Sequence, residues 1–157
     1  MHHNIENCII SINVQKNDFD INTEINFIKS KKIIGGIVNF TGVVRDTSEE
    51  KDELLSLELE HYPGMTERAI LSICQDAQMR WNLNSIRVIH RVGKLLTGDN
   101  IVLVITASAH RKAAFKSAEF IMDFLKSRAP IWKKEHYKTH SSWVQSRQED
   151  ELILHDW

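Results

Sequence analysis

The sequence predicts an α+β fold in one domain with a mostly antiparallel sheet and two long helices. Two-residue and 3.6-residue apolar periodicities both occur, but they do not alternate as regular βαβ units would. The strand-like runs on either side of Gly93 to Asp99 are joined too briefly for a parallel crossover, so they must pair antiparallel. No G-x-G-x-x-G or Walker loop is present, which removes the doubly wound nucleotide folds. At 157 residues the chain fits one domain with a real core.

Each element has a local reason. Cys8, Ile10, Ile12 and Val14 alternate as a half-buried strand. Asp20 can cap a short helix with Ile21, Ile25 and Ile28 on one side. Ile33 to Val44 is β-rich, with Gly35-Gly36 and Gly42 marking a bulge or a close approach of other backbone or ligand. Arg45 to Glu53 is polar and reads as the most mobile loop. Leu55, Leu57 and Leu59 alternate as a strand that ends at Pro63-Gly64. Ala69, Ile70, Ile73, Cys74, Ala77 and Trp81 then recur at helical spacing. Ile86, Val88, His90 and Val92 form one strand face, and Ile101 to Thr106 the next strand. A second long helix runs from about His110 to Lys126 with the stripe Ala114, Ala118, Ile121 and Leu125, and Pro130 limits it. Beyond it, Trp132 and Trp143-Val144 are hydrophobic anchors without an assigned element.

Charge is segregated, although the total is only −1. His110 to Arg147 holds nine Lys or Arg against three acids, a local +6, leaving −7 elsewhere. The sum excludes a generally basic nucleic-acid coat and a membrane-surface protein, but not a local anion site. Residues 1–147 are expected as one catalytic domain and 148–157 as an acidic C-terminal tail, read as flexible and solubilising, with occupation of the basic pocket by its acids as the alternative that charge allows. Cys8 and Cys74 fit neither a disulfide framework nor a metal pattern, and the eight histidines lack H-E-x-x-H spacing, so no metal or cofactor is expected. A secretory signal and a membrane span are not expected either, which makes a cytoplasmic protein the default.

The chemistry concentrates in two places. Ser108-Ala109-His110-Arg111 opens a helix, where free N–H groups and the dipole favour an anion and Arg adds a bidentate fork. Two potential cations there are electrostatically unfavourable without an anion, which points to a ligand; the plainer alternatives are a local ion pair or a solvent-exposed Arg. Lys126 and Lys133 flank Arg128, Pro130 and Trp132. A lysine among apolar and cationic neighbours can have its pKa lowered and serve as acid, base or nucleophile. Arg45 is ambiguous from its position alone, and His61 and His90 read as structural. Spacing therefore gives an anion site with lysine chemistry, but no substrate.

The order of several segments resembles the large, catalytic subunit of molybdopterin synthases along nearly the whole chain. They are Phe40-Thr41-Gly42-Val43-Val44-Arg45, Leu59-Glu60-His61-Tyr62-Pro63-Gly64-Met65 and Ile89-His90-Arg91-Val92-Gly93. Ser108-Ala109-His110-Arg111, Phe120-Ile121-Met122-Asp123, the run Leu125 to Glu135 and Trp143-Val144 follow. The resemblance implies an α/β hammerhead-type fold and a cytoplasmic sulfurtransferase of molybdenum cofactor biosynthesis. Such enzymes convert cyclic pyranopterin monophosphate into the molybdopterin dithiolene. A small ubiquitin-like carrier with a C-terminal Gly-Gly thiocarboxylate supplies the sulfur, in a heterotetramer built on a homodimer.

By the same resemblance, Lys126 and Lys133 are catalytic, while Phe40, Arg45, His110, Arg111, Met122 and Arg147 bind substrate. Ile131 stands where an aromatic is common, which should alter packing only. If one helix joins Arg111 to Lys126, fifteen steps at ~1.5 Å separate them by ~22 Å, so a small substrate would need a site shared across a two-fold dimer. The alternatives are a non-catalytic carrier-binding scaffold, which retention of both lysines opposes, and an anion- or RNA-binding module, which lacks an RRM-like aromatic motif.

Overall fold

The computed structural model describes residues 8–157; the first seven residues of the expected 1–147 unit lie outside the described part. The elements run β1 (Ile9–Gln15), α1 (Ile21–Lys29), β2 (Gly36–Val43), β3 (Leu54–His61), α2 (Met65–Arg80), β4 (Ser85–Arg91), β5 (Gly93–Leu95) and β6 (Asn100–Ser108). They continue with α3 (Arg111–Arg128), β7 (Ile131–Tyr137), β8 (Ser141–Val144) and α4 (Gln148–Ile153), followed by a 3-10 turn. Two four-stranded sheets result, with strand orders β1-β4-β6-β2 and β5-β3-β7-β8. Among the described residues every strand pairing is antiparallel except β1 with β4. The expected α+β class holds.

Local chemistry accounts for the boundaries. Asp20 caps α1 by accepting from the Thr23 N–H at 2.7 Å. Gly64, at φ +84°, turns the chain into α2, and the Glu67 carboxylate accepts from the Gly64 N–H at 2.6 Å. The α3 stripe Ala114, Ala118, Ile121 and Leu125 is buried as its spacing predicts, together with Phe120 and Ser117. This face packs with α2, through Ile70, Ile73, Cys74 and Ala77, onto Ile86, Val88, Val102 and Val104 of the first sheet. Burial pushes the Cys74 thiol up to about 12, so it is an inert packed thiol.

Two details differ from the simple periodicity. Leu55 does not share the buried face of Leu57 and Leu59: the register shifts between Leu54 and Ser56, burying Leu54 and leaving Leu55 51% exposed. The stretch after Pro130 forms the hairpin β7–β8. Its inner positions Lys133, Glu135 and Tyr137 are polar, so apolar alternation could not reveal it.

The segment 148–157 is not a flexible tail: it forms α4 and docks, with its acids beside Lys126 and Arg128, closer to the alternative that charge allows. Trp157 packs edge-on against Trp81 and Phe120 at 5.8 and 5.4 Å between ring centroids. Its indole N–H donates to Asp123 at 2.8 Å, and Arg80 donates to its backbone carbonyl at 2.8 Å. An aromatic residue at the end of the acidic run thus anchors the segment through its ring contacts.

His90 is structural, as its strand position suggested. Burial lowers its pKa to about 4, and its Nδ1 lies 2.8 Å from the Arg91 carbonyl, which fits an N–H donor there. A neutral buried imidazole stabilises the fold above the unfolded-state pKa of ~6.5, and that contribution is lost as pH falls toward 4. The expected loss is on the order of 3 kcal/mol. Urea unfolding at pH 7 and pH 4.5 checks this: His90→Gln should show a distinctly smaller acid-induced drop in stability than the parent.

Candidate active site

The site is organised by α3, one unbroken helix of 18 residues. At its start, His110 takes an extended N-cap conformation with no side-chain cap, and Arg111 and Lys112 fill a first turn that contains no acid. His110 and Arg111 are exposed, and among the described residues no acidic side chain pairs with Arg111. Of the two plainer alternatives, the local ion pair is absent among the described residues, while solvent exposure of Arg111 is present. A Cβ on Gly35 would lie 2.2 Å from the Ala109 carbonyl oxygen, so glycine is what allows β2 to begin against this helix start. A shallow groove of about 340 Å³ lined by Lys29, Ile34, Gly35, Gly36 and Ile37 opens beside it.

The other end of α3 carries Lys126 and Arg128, cations that suit the negative end of the helix dipole. Pro130 turns the chain into β7, where Lys133 lies directly opposite the buried Leu59 of β3. Burial lowers the Lys133 pKa, and the neighbouring Lys126 and Arg147 lower it further, while Asp150 and Glu135 oppose them. Lys126 remains largely exposed, 4.0 Å from Asp150. Arg128 contacts both carboxylate oxygens of Glu151 at 2.9 and 3.0 Å, and the Ser127 hydroxyl donates to the Asp150 carbonyl at 3.2 Å. The acidic first turn of α4 thus lies over the lysine end of α3.

The expected site residues therefore fall into groups. Lys126, Lys133 and Arg147 share one electrostatic neighbourhood. Arg45 follows Val44, which is buried in a cluster with Leu57, Leu59, Val92 and Leu95, against which Ile131 packs. Since Gly36 pairs with Ser108 and Val43 with Asn100, β2 carries Arg45 away from the start of α3, toward its lysine end. Phe40 is a partly exposed ring midway along β2, and Met122 is a half-buried thioether on α3 beside the main core. His110 and Arg111 stand apart: fifteen helical steps separate Arg111 from Lys126, about 22 Å. Within one subunit these two ends do not meet. In the sequence Asp150 is visible only as part of the acidic tail and Glu135 only as one acid of the basic stretch; the pairing of α4 with α3 and of β7 with β3 gives each its place beside Lys133.

A family profile described as MoaE protein matches residues 14–128. The chain belongs to the MoaE family. It is 49% identical over 146 residues to the molybdopterin synthase catalytic subunit of Vibrio cholerae serotype O1, covering 93% of this chain and 97% of that protein. The Brucella melitensis molybdopterin synthase catalytic subunit is 48% identical over 153 residues, covering 96% and 92%. Among solved structures, a MoaE protein of molybdopterin biosynthesis from Burkholderia ambifaria superposes with a TM-score of 0.81 at 42% identity, covering 95% of this chain and 98% of that one. A complex of subunits 1 and 2 of the molybdopterin-converting factor from Helicobacter pylori shares the fold, with a TM-score of 0.71 at 19% identity over 87% and 91% of the two chains. In this MoaE chain, no described helix is long and apolar enough to cross a membrane.

The pairing of α4 with α3 makes a direct prediction. Asp150 favours the charged form of Lys133, so Asp150→Asn should move the Lys133 titration further down, without the loss of fold that removing Trp157 would risk. Nitrogen-15 NMR of the lysine ammonium groups against pH reads the shift.

Proposed function

We propose that this chain is the catalytic subunit of a molybdopterin synthase, a cytoplasmic sulfurtransferase with residues 1–147 as its catalytic unit. It takes sulfur from the C-terminal thiocarboxylate of a small ubiquitin-like carrier and delivers it to cyclic pyranopterin monophosphate, producing the dithiolene of molybdopterin. The observation that carries this reading is the lysine pair: a half-buried Lys133 with a lowered pKa beside an exposed, cationic end of α3 at Lys126, in a chain of the MoaE family.

Chemically, the two lysines suit different parts of the reaction. Lys126 keeps a solvent-facing ammonium that can neutralise the incoming thiocarboxylate and assist its attack. Lys133, more readily deprotonated, can accept and return a proton as each C–S bond forms. Each dithiolene needs two sulfurs, so two thiocarboxylates are consumed and returned as carboxylates after hydrolysis. Arg45 and Arg147 add positive charge at the lysine end, Phe40 and Met122 offer apolar surface for the pterin, and His110 with Arg111 holds the phosphate.

The ~22 Å span of α3 supports a homodimer in which the helix start of one subunit and the lysine end of the other line one site. Together with two carriers, this gives a heterotetramer.

Incubation of the chain with thiocarboxylated carrier and cyclic pyranopterin monophosphate tests the reading, with dithiolene formation as the score. Lys126→Ala should lower product formation by at least ~100-fold, a loss of the size expected for a positioned catalytic group, while carrier binding persists. Near-normal turnover by that variant contradicts the assignment. Mixing inactive Arg111→Ala and Lys126→Ala chains should restore part of the activity, because one of the two shared sites in a mixed dimer is intact. Heterodimers that form and remain inactive would overturn the shared site.

A further inference from the structure

The loop from Arg45 to Glu53 was expected to be mobile, yet it is tied down along its length. Before it, Val44 is fixed by backbone bonds to the turn at Gly98-Asp99, at 2.8 and 2.9 Å. Within it, the Ser48 N–H donates to Asp46 and the Leu54 N–H to the Ser48 hydroxyl, while Glu49 and Asp52 form a two-way backbone bridge at 3.0 Å. The loop is then fastened to the β7–β8 turn. Asp52 accepts from the Thr139 N–H at 3.1 Å and lies 2.9 Å from His140 Nδ1, and the Lys138 N–H donates to the Glu53 carbonyl at 2.8 Å.

One side chain joins this loop to the lysine-bearing face of β7. Tyr137 ends β7, stacks on His140 with 5.1 Å between ring centroids, and donates its hydroxyl proton to Glu135. Since that proton is committed to Glu135, the Thr47 hydroxyl, 2.8 Å away, donates to the tyrosine oxygen. The result is a directional chain from Thr47 through Tyr137 to Glu135. Lys133, Glu135 and Tyr137 occupy alternate positions on one strand and therefore one face. Strand pairing holds Glu135 opposite Leu57.

We propose that Tyr137 is a positioning residue, which couples the loop behind Arg45 to the Lys133–Glu135 face through Thr47 on one side and Glu135 on the other. Its hydroxyl shares the charge of Glu135, and so sets how strongly that carboxylate favours the lysine ammonium. Lys133 also faces Lys126 from α3, Asp150 from α4 and Arg147 before it, and it lies within electrostatic range of His90 on β4. None of these is touched by removing the phenol oxygen. The idea builds on the functional assignment of Arg45 and Lys133, but its first two readouts need no turnover, so failure of that assignment leaves them intact.

The test uses Tyr137→Phe in the full chain, alone and with its carrier. Phenylalanine keeps the stacking on His140 and loses only the hydroxyl; Thr47→Val is the second variant in case the first does not fold. Hydrogen exchange at the Ser48, Glu49, Asp52 and Leu54 amides should accelerate by about 2- to 10-fold in both variants, the size of one lost hydrogen bond in a local opening equilibrium. In Tyr137→Phe the Lys133 titration should also move up, because Glu135 keeps its full charge beside it, and the alkaline limb of the kcat profile should move up with it. The proposal falls if loop exchange is unchanged in both variants, or if the loop loosens while the Lys133 midpoint stays where it was.

Discussion

The two separated ends of the site hang on the face that α3 buries against the first sheet. Phe120, Ile121 and Leu125 fix the helix on the core, the buried Ala114 and Ala118 share its inner face, and the Thr106 hydroxyl pins it further by donating to the Ala114 carbonyl at 2.6 Å. A helix held this way cannot bend its ends together. It acts as a rod that keeps an uncompensated cationic start about 22 Å from a lysine-bearing end. That separation is what makes a second subunit part of the chemical argument.

The lysine end is set by a second layer. The negative end of the helix dipole suits Lys126 and Arg128, and these two cations in turn draw Asp150 and Glu151 of α4. The contacts are partly exposed, so each contributes little on its own. What holds α4 in place is the aromatic cluster of Trp157, Trp81 and Phe120 at its far end. Lys133 differs from its neighbours because strand pairing places it over Leu59, where burial and like charge act in the same direction.

Much of this was legible in the sequence where chemistry is local. The Asp20 cap, the α3 stripe, the packed Cys74 and the structural His90 follow from spacing and residue type. The two ends of α3 were legible too, since a helix length follows from its residue count. The β7–β8 hairpin was not, because its inner face is polar and its partner β3 lies some 70 residues earlier in the chain. Docking of the acidic segment is allowed by its charge, but its anchor is hidden for a related reason: composition describes a run of acids, while Trp157 acts through rings distant in sequence. The loop behind Arg45 reads as mobile from its polarity, yet those same polar groups are satisfied within the loop, by Tyr137 of β7 and by the turn before β8.

The central claim is that one substrate joins opposite ends of α3 from two subunits. The most direct measurement is a crystal structure of the dimer with cyclic pyranopterin monophosphate bound. The account predicts the phosphate on His110 and Arg111 of one subunit, with the reacting carbons facing Lys126 of the other. A substrate held wholly by one subunit, with its phosphate away from Arg111, would contradict it.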